Sequence, residues 1–188
     1  MSAHALPARQ TAEDVLAFWL AAGHQRWFEH DEAFDTTIRE RFAATYEDAA
    51  AGAFSGWESA PQSALALVIV LDQFPRNMFR GSARSFATDA LARAAAERAI
   101  AAGFDQKIAM PQRVFFYLPF EHSEALADQE RAVALIGAAG DADLLKWAEL
   151  HADIIRRFGR FPHRNVLLGR PSTPEELAAF LDAGGFAG

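Results

Sequence analysis

The chain has 188 residues, half of them hydrophobic and 12% aromatic, with sixteen Phe and four Trp, so it is long and apolar enough to bury a core and is not of disordered composition. The formal charge of −7 argues against nucleic acid and anionic membrane as partners. There is no cysteine, which excludes disulfides, thiol catalysis and Cys-ligated zinc and makes a reducing, cytoplasmic compartment the natural setting.

The opening residues, Met1 to Asp14, carry Glu13 and Asp14 and no apolar segment of signal-peptide type. Apolar residues then recur at helical spacing throughout, and no strand-like alternation persists. Thr11 with Asp14 caps a first helix whose stripe is Val15, Leu16, Trp19 and Leu20, closed by Gly23 and followed by an aromatic plug, Trp27 and Phe28. A second helix runs from Asp31 to Gly52 with Phe34, Ile38, Phe42 and Ala49 inward. Ser59 and Pro61 open a third. Its body from Ala64 to Leu71 is apolar all round, the mark of a helix enclosed by others, and Asp72 to Asn77 end it.

A fourth helix extends from Thr88 to Gly103. Pro111 opens a fifth that continues past Pro119 to Gly137, bent where Pro119 deprives the Phe115 carbonyl of its donor. Asp141 caps a sixth, with Leu144, Trp147, Ala148, His151, Ile154, Ile155 and Phe158 on one face and Gly159 at its end. The run Ser172-Thr-Pro-Glu-Glu176 starts a last helix to about Leu181. The expected architecture is one all-α domain over 1–188, a helical body of about seven helices at 11–182 between short flexible termini. The longest apolar run, Ala64 to Leu71, is too short to span a bilayer.

Two segments echo each other. Leu71-Asp-Gln-Phe-Pro-Arg-Asn-Met-Phe-Arg-Gly81 and Phe158-Gly-Arg-Phe-Pro-His-Arg-Asn-Val-Leu-Leu-Gly169 each place Phe-Pro, then Arg-Asn, then Gly behind a helix end. Together with Phe116-Tyr-Leu-Pro-Phe-Glu-His-Ser-Glu124, Val15-Leu-Ala-Phe-Trp19 and Arg26-Trp-Phe28, they resemble a bacterial family known as domain of unknown function 924. The resemblance covers nearly the whole chain. It implies an antiparallel α-α superhelix of tetratricopeptide-like type and brings no assigned reaction, although the repeat signature of true tetratricopeptide units is absent. Glu121 stands where the family pattern has Met or Gln.

The polar residues of these segments are the candidate site. Four polar side chains following an apolar run at Phe120 are expensive to bury without partners. Glu121 and Glu124, three apart, would share one helical face. With His122, His151 and His163 they have the composition of a carboxylate–histidine metal site, but not the spacing of one, and no metal or other cofactor is expected. His151 stands out because it falls on an apolar stripe.

Arg76 and Asn77 behind one helix end, and Arg160, His163, Arg164 and Asn165 behind another, form a set able to clamp a carboxylate or phosphate. Asp72, Glu121 and Glu124 would orient the guanidinium groups, with Gln73 and the Tyr117 hydroxyl beside them. The competing reading ties the same acids and arginines to one another with no ligand. Two functions follow: a binding or scaffolding module that receives a small anion or a peptide, or a hydrolase-like enzyme with His122 or His151 as base. The sequence leaves the oligomeric state open.

Overall fold

The computed structural model describes residues 9–182, so the expected flexible termini at 1–8 and 183–188 lie outside the described residues. The protein is all-α. The described residues form eight α-helices and no strand, one helix more than expected because the predicted fifth splits in two. They fall into two compact units. One comprises the chain up to Arg80 with Arg84–Pro119, the other Gly81–Ala83 with the chain from Phe120 onward.

In the first unit, α1 (Ala12–Phe28) starts in a reciprocal capping box: Thr11 and Asp14 each accept from the other's backbone N–H through their side chains. Gly23, at φ 76°, interrupts it, and the helix resumes to carry Trp27 inward. Trp27 donates its indole N–H to the Trp19 carbonyl at 2.6 Å. Around the buried Trp19 ring stand Phe34, Phe74 and Phe115, all within 6 Å between centroids. The second helix, α2 (Glu32–Ala50), is capped by Asp31 and buries Phe34, Ile38 and Phe42.

Helix α3 (Pro61–Met78) is buried on every side from Ala64 to Leu71, as its composition requires. The stretch Asp72–Asn77, expected to end it, is still helical. The Leu71 carbonyl, which Pro75 cannot serve, accepts instead from the Thr88 hydroxyl at 2.6 Å, so the helix continues across the proline to Met78. Thr88 is therefore occupied and makes no side-chain cap for α4 (Asp89–Ala101), whose alanine face packs inward.

The predicted helix from Pro111 to Gly137 is not continuous. A 3-10 turn at Gln112–Phe116 leads into α5 (Leu118–Glu121), then a non-helical turn, then α6 (Leu126–Ala139). Pro119 is in the first turn of α5, where no N–H donor is needed, so it begins a helix rather than bending one.

In the second unit, the Gln129 side chain of α6 donates to the carbonyls of Glu121 and Ser123, each at 2.6 Å, and fixes the α5–α6 turn. Helix α7 (Ala142–Phe158) has the predicted Asp141 cap and left-handed Gly159 end. Its buried stripe is Leu144, Ala148, Ala152 and Ile155. Trp147, expected on that face, is 54% exposed because it lies roughly a quarter-turn away. A 3-10 turn at Pro162–Arg164 and a final helix, α8 (Pro174–Asp182), complete the chain. No described helix is long and apolar enough to cross a membrane.

Candidate functional site

The candidate residues divide between the units. Asp72, Gln73, Arg76, Asn77 and Tyr117 belong to the first, and Glu121, His122, Glu124, His151, Arg160, His163, Arg164 and Asn165 to the second.

In the first unit, Pro75 lies inside α3, so the first Phe-Pro segment is the last turn of a helix and not an exit from it. Arg76 reaches back to the Asp72 carbonyl (2.6 Å) and carboxylate (3.3 Å) and across to Asp89 (2.9 Å). Burial alone would lower the pKa of this guanidinium, but the two carboxylates more than offset it and hold the group above its ordinary value. Gln73 donates to the buried Asp72 at 2.6 Å.

Asn77 donates to Asp35 at 2.7 Å, and Arg80 donates to the same carboxylate at 2.9 Å. The Tyr117 hydroxyl donates to Asp105 at 2.8 Å. Burial, followed by that hydrogen bond, drives its pKa well up. Asp35 and Asp105, both buried, were not among the predicted residues.

In the second unit, the break after Glu121 separates the two acids expected on one helical face. Glu121 is buried, with Oε1 2.6 Å from His151 Nδ1; the His151 side chain is 16% exposed. His122 lies half-buried in the turn between α5 and α6. Glu124 turns to the loop after α7. It accepts the Phe161 N–H at 2.7 Å and a bidentate pair from Arg170 at 2.7 and 2.9 Å. Burial would raise its pKa, but these donors outweigh it and hold the carboxyl below its ordinary value.

Arg170, absent from the predicted set, thus takes the role expected of Arg164. It also donates to Asn165 at 3.0 Å, and Asn165 donates to Glu176 at 3.2 Å. Arg160 grips Glu176 bidentately at 2.6 and 2.9 Å, and the Thr173 N–H donates to it at 2.7 Å. Chiefly because of Arg160, the Glu176 pKa falls to about 2. These groups form one chain of charge-assisted hydrogen bonds from Glu124 to Arg160, pinning the backbone between Gly159 and α8.

The remaining candidates meet at Phe161, whose ring is buried. The Arg164 guanidinium lies 4.5 Å from its centroid, and the His163 and His151 rings lie 5.4 and 5.5 Å away. Among the described residues, no group of three or more His, Cys, Asp or Glu side chains is placed to hold a metal ion.

The two Phe-Pro segments differ in local structure: Pro75 lies within an α-helix, whereas Pro162 opens a 3-10 turn.

A solved structure described as a protein of unknown function from Agrobacterium tumefaciens is similar to this chain. It is 48% identical, with a TM-score of 0.89, over 91% of this chain and 97% of that one. No curated protein matches the chain. The model of the family described as bacterial protein of unknown function (DUF924) matches residues 15–185, which include the Phe161 cluster and both Phe-Pro segments. By that match the chain belongs to the DUF924 family.

Proposed function

We propose that this protein is a binding module that receives a small anion or an acidic peptide at the Phe161 segment of its second unit. One observation carries this reading: Arg164, His163 and His151 all flank a single buried ring within 5.5 Å of its centroid. The pinned loop holds His163 and Arg164, and helix α7 holds His151, on a preordered platform, which lowers the ordering entropy of binding. The α-α superhelical stacking implied by the family resemblance would suit such a role.

The test is a titration with inorganic phosphate, with acetate and with an acidic hexapeptide, followed in histidine-selective NMR spectra. Saturable shifts of the His151 and His163 resonances, lost in Arg164→Met, are expected. Unmoved resonances with all three ligands would overturn the reading.

The contact between Glu121 and His151 favours a second function, a hydrolase-like enzyme. A buried carboxylate against Nδ1 orients the imidazole, the arrangement of a general base. In that case Glu121→Gln and His151→Gln lose turnover of a common hydrolase substrate together, while Arg164→Met raises KM.

A further inference from the structure

Helix α7 carries a second stripe beside the one that packs inward. Asp143, Trp147, Leu150, Ile154 and Arg157 recur at alternating spacings of four and three, so they share one side of the helix. Trp147 is 54% and Leu150 41% exposed, Ile154 is half-buried, and Asp143 and Arg157 stand exposed at the two ends. An apolar centre built on Trp and Leu, closed at each end by one charge, has the composition of an interface core and its rim.

The charges indicate what covers this stripe. Asp143 and Arg157, of opposite sign, lie seven residues before and seven after Leu150. Lys146 and Asp153, again opposite, lie four before and three after it, and being seven apart they line the same flank of the stripe. Two copies laid antiparallel about a two-fold axis at Leu150 bring Asp143 to Arg157 and Lys146 to Asp153 of the second copy, twice each, whereas a parallel pair sets like charge on like. Within one chain the same groups take only exposed pairings: Asp143–Lys146 at 3.0 Å, Asp153–Arg156 at 2.7 Å and Arg157–Glu175 at 3.0 Å. Pairs of that kind are worth little and exchange at small cost. We propose that the stripe is a self-association surface whose occupant is a second copy of this chain, α7 against α7 and antiparallel. A contact one helix wide falls at the small end of interface sizes, so the dimer forms and dissociates readily. This goes beyond the anion site proposed at Phe161 and does not depend on it.

Sedimentation equilibrium of the full chain, from about 10 μM to about 1 mM, tests the proposal and should show a monomer–dimer equilibrium. Trp147→Glu, a change at an exposed position, should abolish the dimer and leave thermal unfolding nearly unchanged. Asp143→Arg and Arg157→Asp should each weaken association by roughly tenfold or more, because each sets like charges together at both ends of the contact. An equimolar mixture of those two variants should recover the wild-type affinity, since only the mixed pair restores opposite charges. A chain that stays monomeric throughout overturns the proposal, whatever else covers the stripe. A dimer that survives Trp147→Glu uses another surface. A dimer lost in Trp147→Glu but indifferent to both charge reversals is not antiparallel. Either of these results overturns the proposal as well.

Discussion

The Thr88 hydroxyl donates to the carbonyl of Leu71, the residue four positions before Pro75. A proline inside a helix removes one hydrogen bond and leaves one acceptor bare, and here a side chain from the start of the next helix supplies the missing donor. Thr88→Val should destabilise the protein by about 1–3 kcal/mol, the cost of a buried acceptor left unpaired, while Thr88→Ser retains most of the stability. In a Pro75→Ala background the backbone N–H returns and the loss on Thr88→Val should shrink. Urea unfolding of the four variants checks the coupling, and equal losses in both backgrounds would show that the hydroxyl serves another purpose.

Gln129 makes a comparable substitution of side chain for backbone at the end of α5. Gln129→Leu leaves the Glu121 and Ser123 carbonyls without this donor in a buried turn and should lower stability by roughly 2–6 kcal/mol. Gln129→Glu should be worse, because an oxygen then faces both carbonyls. Thermal unfolding followed by circular dichroism reads both.

The acid limb of the stability curve should belong largely to the loop network. Glu176 has a folded pKa of about 2, and Glu124 is likewise depressed, both below the ordinary glutamate value of about 4.3. A carboxyl depressed on folding contributes its stability above its unfolded pKa and loses it as pH falls through the folded one. Stability should therefore decline from near pH 4.5 toward pH 2. Glu176→Gln should flatten that decline and leave the slope above pH 6 unchanged, as measured by urea midpoints across pH.

The parts of this fold legible in the sequence were those encoded within a few residues. Thr11 with Asp14, Asp31 and Asp141 mark helix starts because the groups they cap lie one turn away, and Gly159 ends α7 for the same local reason. Pro119 was misread because a proline looks alike in the first turn and in the middle of a helix, and no glycine marks the break after Glu121. Ser123 was the available sign: its hydroxyl donates to Asp128 and accepts from the Ala125 N–H at the entry to α6. The true partners of Asn77 and Glu124 were not legible. Asp35 is 42 positions from Asn77 and Arg170 is 46 from Glu124, and any of many acids and arginines satisfies the same chemistry.

That distance along the chain has a kinetic consequence at Glu124. Its bonds to Phe161 and Arg170 close segments of 37 and 46 residues, whereas α6 and α7 are neighbours joined by a short turn. Local pairings form early and long closures late, so the Glu124 clasp should be absent from the folding transition state. In stopped-flow mixing, Glu124→Gln should then speed unfolding while leaving the refolding rate nearly unchanged. The segment from Gly159 to Arg170 would be the last to lock on folding and the first to slip under stress.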